Sequence, residues 1–253
     1  MGHMTLSRFK AIILFSVSVM SSTTLYAQTD PVNRVIEKLQ LGLPAIGTFT
    51  RAPSSDLDFA VIDEQYGEFD IEGVNAAVQG MKVDNGTPMV APIVRIPLAA
   101  RDAPQAVVEQ LLAAGVYGLM FPDVETKSQA EAAVGAMASA QDDLWPLAPG
   151  GKLIAMIQIE SPLGIENLDA ILEVAGIGVL FLGPTDMATA IGAEGPDAPQ
   201  VEVLVQQVLE VCLAQDIACG YPIVAASPED AKRQTAERLE QGFKVLAVMT
   251  RAQ

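Results

Sequence analysis

Leu153-Ile-Ala-Met156-Ile-Gln158-Ile-Glu160-Ser-Pro-Leu-Gly164, followed at a helix-sized interval by Ile177-Gly-Val-Leu-Phe-Leu182-Gly183-Pro184-Thr185-Asp186, decides the fold. Each stretch opens as a short apolar run with β-branched side chains, the composition of a strand covered on both faces in a parallel sheet. Each closes on an acid and a turn. Working outward, runs of the same kind recur at Ala45–Phe49, Phe59–Ile62, Pro92–Ile96, Val116–Phe121, Ile217–Ile223 and Lys244–Met249. Helical stretches separate most of them: Gln105–Ala113, Ser128–Ala138, Ile165–Glu173, Val201–Ala214 and Pro228–Gln241. Thr126 or Ser128 before Glu131, and Ser227-Pro-Glu-Asp, are helix-start signals. Alternating strands and helices, with eight strand candidates, predict an α/β protein with a (β/α)8 TIM barrel.

Two places break the rhythm. Thr50 to Asp58 holds only a short Ala-Pro-Ser-Ser segment, so the first crossover helix is expected to be shortened. The sequence reaches Gln253 directly after the eighth run, where a barrel ordinarily adds a last helix. That C-terminal helix is expected to be missing, with Val32–Leu39 covering the barrel surface it would leave bare. Gln141-Asp-Asp-Leu-Trp145-Pro-Leu-Ala-Pro-Gly-Gly151 is a loop, read as a lid, a subunit contact, or simply a Trp plugging an apolar gap.

Hydrophobic residues make up 50% of the chain and aromatics only 5%, so aliphatic side chains must fill the core. A net charge of −16 argues against nucleic acid and anionic membranes as partners, because both need basic patches. The few cations therefore matter one by one. Arg8 and Lys10, the apolar run Ala11–Met20 and the small-residue stretch ending Leu25-Tyr-Ala27 are laid out as a secretory signal peptide, residues 1–27. Met1-Gly-His-Met4 reads as an appended leader or a misplaced start. Residues 28–253 then form one domain, exported to the periplasm. Cleavage would remove His3, the sole histidine, which excludes Ser-His-Asp and Cys-His catalysis and any histidine metal site. Cys212 and Cys219 are read as two buried thiols, with a disulfide as the alternative.

The acids that end the two opening strands, Glu160 and Asp186, fall on the rim where a barrel of this class carries its site. Two carboxylates with open positions suit a hard divalent cation, Mg²⁺ or Mn²⁺. Read singly, each could instead cap a helix. Gln158 faces the same side as Glu160 by strand alternation. Gly183 permits close approach of backbone, and Arg95, closing the third run, offers a cation that cannot lose its charge. No phosphate-loop or dinucleotide fingerprint is present. Lys152 and Lys244 lie where their strands begin, at the wrong end of a barrel for Schiff-base chemistry.

Gln158-Ile-Glu160, Asp186 within Gly183-Pro-Thr-Asp, Val94-Arg95-Ile96-Pro97 and Val61-Ile-Asp63 together resemble the HpcH/HpaI aldolase family over Leu43–Met249. The resemblance implies a class II pyruvate aldolase, a carbon–carbon lyase that cleaves a 4-hydroxy-2-oxo acid reversibly to pyruvate and an aldehyde through a metal-stabilised enolate. Glu160 and Asp186 would hold Mg²⁺, Mn²⁺ or Co²⁺. Gln158, Gly183, Pro184 and Thr185 would bind the 2-oxo acid, with amides near Thr185 and Asp186 receiving its carboxylate. Arg95 would be catalytic. In Asp63-Glu64-Gln65-Tyr66, Tyr66 occupies the position of the family's histidine. Asp63 with Tyr66 would then handle protons. The resemblance also implies a homo-oligomer, although family members often exchange the final helix between subunits. Two further readings stay open: a citrate-lyase-like carbon–carbon lyase, and a periplasmic 2-oxo-acid-binding protein without turnover. A truncated, non-functional frame is a third.

Overall fold

In the computed structural model, which describes residues 1–2, 33–83 and 88–251, the apolar runs form one closed parallel sheet. Its strands are β1 (Ala45–Phe49), β2 (Phe59–Asp63), β3 (Ala91–Arg95), β4 (Gly118–Phe121), the short β5 (Leu144–Trp145), β6 (Leu153–Ile159), β7 (Ile177–Leu182), β8 (Ala218–Ala225) and β9 (Val245–Thr250). β1 through β4 pair in order, β4 pairs with β6, and β6 through β9 return to β1. Eight parallel strands therefore close a barrel, and β5 is an annex on the start of β6.

The helices are α1 (Arg34–Gln40), α2 (Ile71–Gly80), α3 (Gln105–Ala113), α4 (Lys127–Ala140), α5 (Pro162–Glu166), α6 (Leu168–Leu172), α7 (Pro184–Ile191), α8 (Pro199–Ala214) and α9 (Pro228–Gln241). Thr126 caps α4 in a capping box whose second member is Gln129, not Glu131, and Ser227 caps α9. The stretch expected as one helix over Ile165–Glu173 is two pieces meeting at Asn167, whose Nδ2 donates to Glu125 O at 2.8 Å.

Period-two alternation divides the core into two layers. Inside the barrel lie Phe59, Val61, Ile93, Met156, Val179 and Phe181, all fully buried. Gly47 and Gly220 face Phe59 and Phe181, and a Cβ at either would collide with the opposing ring. Small residues thus admit large ones across the narrow interior. The outward rows, among them Ala60, Ile62, Leu180, Leu182 and Ile223, pack under the surrounding helices.

Three expectations are corrected, and the open reading of Trp145 is decided. The first crossover carries no helix at all: residues 50–58 return directly, with Asp58 Oδ2 accepting from Ile46 N at 2.8 Å. Val32–Leu39 does not cover the flank of the barrel. Its described part enters α1, where Val35 and Ile36 insert into the inner layer and Asn33 Nδ2 donates to Tyr117 O and Lys152 O, at 3.0 and 2.8 Å. Those carbonyls mark the N-terminal end of the barrel, so α1 is its bottom plug. Trp145 pairs with Ile154 at that same end and packs on the inner layer, which rules it out as a lid over the opposite mouth. Cys212 and Cys219 are joined in a disulfide, with Cα atoms 5.8 Å apart, because α8 ends where β8 begins alongside it. The segment read as a signal peptide lies outside the described residues except for Met1 and Gly2. Among the described residues no helix is long and apolar enough to cross a membrane.

Candidate active site

Three inward rows turn polar at their C-terminal ends. Phe59 and Val61 lead to Asp63; Ala91 and Ile93 lead to Arg95; Ile154 and Met156 lead to Gln158 and, one residue beyond the strand, Glu160. The same alternation that packs the interior therefore delivers these side chains to the mouth.

β2 and β3 pair with Asp63 opposite Arg95. Arg95 donates from Nε to Asp63 Oδ1 at 2.8 Å and from Nη2 to Oδ2 at 2.5 Å, and its guanidinium lies 4.8 Å from the centre of the Phe49 ring. Fork and ring together fix its plane. Burial opposes the charge on Asp63, but the hydrogen bond and charge of Arg95, helped by the Gln65 amide and Arg51, outweigh it and hold the carboxyl below its usual range.

Glu160 is 3% exposed, and it caps nothing: Ser161 is the N-cap of α5, accepting from Gly164 N. Its Oε1 accepts from the Asp123 amide at 2.8 Å, while Oε2 is buried without a donor. Burial first, then the charge of Asp186, push its pKa up to about 8, against the pull of Arg95. Oε2 lies over Gly183, where a Cβ would also stand 2.6 Å from Glu160 Cβ and 3.0 Å from Gln158 Nε2. Glycine is what lets the carboxylate settle there.

Gly183 is also the N-cap of α7, with Pro184 at its first position and Asp186 in its first turn; no side chain caps this helix. Asp186 is thus free of a capping role. The Tyr66 hydroxyl is 3.5 Å from Asp186 Oδ1 and accepts from Gln65 Nε2 at 3.1 Å. Burial, with the charges of Asp186 and Glu160, raises its phenol above the ordinary value. Thr185 is exposed beside Asp186 and Pro184 is buried.

Among the described residues, the buried side-chain oxygens without a hydrogen-bond donor are Gln65 Oε1, Gln158 Oε1 and Glu160 Oε2, which lie in or just beyond the C-terminal ends of β2 and β6. Orphaned acceptors around an opposed buried carboxylate are the electrostatic complement of a cation. Oxygen donors alone suit a hard divalent ion. Among the described residues no group of three or more His, Cys, Asp or Glu that could hold a metal assembles.

Sequence reasoning missed the supports. Arg101 Nη1 donates to Asp123 O at 3.1 Å and to Asp123 Oδ2 at 2.5 Å, and Asp123 has a left-handed backbone, φ 51°. Glu64, 4% exposed, accepts from Arg51 and from the Asp70 amide, which anchors the loop carrying Gln65 and Tyr66. No spacing in the sequence announces either, because both depend on backbone amides and on pairs of residues remote in the chain.

Comparison with known proteins bears on the family and the fold. Residues 50–248 match the family described as HpcH/HpaI aldolase/citrate lyase. The chain is 29% identical over 209 residues to a 5-keto-4-deoxy-D-glucarate aldolase of Escherichia fergusonii, covering 76% of each protein, and 28% identical over the same length and coverage to that of Salmonella paratyphi C. In fold it resembles the crystal structure of an HpcH/HpaI aldolase/citrate lyase family protein from Burkholderia cenocepacia J2315, with TM-score 0.67 at 22% identity over 86% of this chain and 92% of that one. With its strand-end carboxylates set in an eight-stranded parallel barrel, the chain belongs to the HpcH/HpaI aldolase/citrate lyase family of carbon–carbon lyases.

Proposed function

We propose that the protein is a divalent-metal-dependent aldolase that cleaves a 4-hydroxy-2-oxo acid reversibly to pyruvate and an aldehyde, acting after export to the periplasm. The observation that carries this reading is Glu160 Oε2, buried, without a donor and lying over Gly183. Glu160 and Asp186 are the groups to hold Mg²⁺ or Mn²⁺, with Co²⁺ a third suitable ion. When bound, the metal supplies Lewis-acid stabilisation of the developing enolate.

The protein's own groups do the rest. Amides in the first turn of α7, near Thr185 and Asp186, suit the substrate carboxylate, where the helix dipole favours an anion. Gln158, 2% exposed with an unmet acceptor, orients the bound acid. Arg95, held by the Asp63 fork with its guanidinium over the Phe49 ring, faces the oxygen on which charge develops. In the cleavage direction the C3–C4 bond breaks as the 4-hydroxyl loses its proton, and C3 then gains one to become the methyl of pyruvate. Asp63 is ionised and its side chain 39% exposed, so it can reach that hydroxyl; Tyr66, protonated at neutral pH, is the donor. Asp63 is a weak base because Arg95 holds it ionised, so proton transfer should be slow.

A second reading, a 2-oxo-acid-binding protein without turnover, draws on the phenol of Tyr66 standing where the family has histidine. Deuterium exchange at the methyl of pyruvate, followed by NMR with Mg²⁺, Mn²⁺ or Co²⁺, separates the two. Metal-dependent exchange that disappears in Glu160→Ala supports the aldolase. Binding of metal and pyruvate without exchange transfers the assignment to the binding protein.

A further inference from the structure

We infer that Asp123, locked by Arg101, is a positioning residue that decides which carboxylate oxygen of Glu160 meets the cation; the inference rests on the metal reading of Glu160. Asp123 follows β4 and lies 37 residues from Glu160, yet its amide donates to Oε1 at 2.8 Å. With Oε1 committed, Oε2 is the oxygen left without a donor, over Gly183.

The amide points there because Asp123 adopts φ 51°, a conformation that costs an ordinary side chain and that aspartate tolerates better than most. Arg101 holds it there at two points of the residue, bonding the carbonyl at 3.1 Å and the carboxylate at 2.5 Å through one nitrogen. The loop is fastened again on either side. Val124 N donates to Gln158 O at 3.1 Å, and Ser161 Oγ donates to Glu125 Oε1 at 2.8 Å. Arg101 thus bonds neither Glu160 nor Asp186 and acts on the metal ligand through the Asp123 amide. Without it, Asp123 relaxes to negative φ, its amide turns away, and Glu160 is free to rotate.

A glycine at 123 takes positive φ without assistance, so it should make Arg101 dispensable. Mn²⁺ affinity, read by electron paramagnetic resonance of the free ion over the purified protein, tests this. Arg101→Ala should weaken Mn²⁺ binding about tenfold, as expected when an outer support of a ligand is lost. Asp123→Gly should stay within about threefold of wild type, and Arg101→Ala/Asp123→Gly should recover most of the loss, as coupled neighbours do. Asp123→Val, β-branched and intolerant of positive φ, should lose at least as much as Arg101→Ala. The inference is overturned if Arg101→Ala binds as wild type, or if the double variant is no better than Arg101→Ala, since Arg101 would then act by charge alone. Glu160→Gln separates the two levels. If it leaves Mn²⁺ affinity unchanged, the metal reading falls and this inference with it; if it weakens binding while Arg101→Ala does not, only this inference falls.

Discussion

Gly183 supports Glu160 so closely that a single added methyl would strike both Oε2 and, at 2.6 Å, the Cβ of the glutamate. The ends of the neighbouring strands β6 and β7 are therefore fitted to each other at the barrel mouth. Gly183→Ala should displace the carboxylate while leaving the barrel folded. We expect a stability loss of about 1–3 kcal/mol, the usual cost of overpacking, and Mn²⁺ binding weakened by roughly tenfold or more. Calorimetric titration with Mn²⁺ beside a thermal melt checks both. Unchanged affinity would show that the carboxylate does not need this seat.

In the proposed reaction Arg95 stabilises the oxygen on which charge develops, and its orientation comes from the two hydrogen bonds to Asp63. Lysine keeps the charge but has no fork and no plane to rest on Phe49. Arg95→Lys should lower kcat/KM for aldol cleavage, or the rate of pyruvate exchange, about 10²-fold. Mn²⁺ affinity should change by no more than about threefold, because Arg95 hydrogen-bonds to neither Glu160 nor Asp186. A parallel loss of metal binding would mean that Arg95 serves mainly to balance the charge of Glu160.

Much of this mouth was legible in the sequence, for a definite reason. Asp63, Arg95, Gln158 and Glu160 continue the period-two rows that pack the interior, so strand placement and polarity point to the same side chains. Glu160 and Asp186 each also admitted a capping role, which local pattern could not remove; Ser161 and Gly183 occupy those caps in the structure. Asp123 left no such trace. Its contribution is a backbone amide and a positive φ, and neither is written in residue type. α1 was misplaced because an apolar stripe says that Val35 and Ile36 are buried, not which end of a barrel buries them. The pairing of the cysteines was out of reach for a similar reason, since it depends on how two consecutive elements turn back on one another, whereas the plain reading of Trp145 as filling an apolar gap agrees with its packing on the inner layer.

Cys212 and Cys219 are the chain's two cysteines and both are buried, so their pairing is measurable without ambiguity. Protein denatured without reductant should show no titratable thiol, and two after reduction. The loop between them is short, with a sequence separation of 7, so reduction should lower stability by about 2 kcal/mol. Two free thiols before reduction would restore the reading of a pair of buried cysteines.

Arg238 on α9 binds Glu202 on α8 through both nitrogens, at 2.8 and 2.7 Å, and its guanidinium lies 4.1 Å from the centre of the Tyr221 ring on β8. Three consecutive elements are thereby tied at one point. The Arg238 hydrogen bond, opposed by burial and aided by Gln206, holds the Glu202 carboxyl below its usual range. Folded Glu202 thus binds a proton less readily than the unfolded chain, whose glutamates titrate near about 4.3. Its contribution is therefore present above that pH and lost as pH falls through the lower, folded value. Glu202→Gln should cost about 1 kcal/mol near neutrality, since the glutamate is partly exposed and the pair screened. The gap in Tm between wild type and variant, followed by circular dichroism, should close as the pH is lowered from 7 toward 3. A gap of constant size across that range would show that Arg238 stabilises this corner by stacking on Tyr221, with the ion pair contributing nothing measurable.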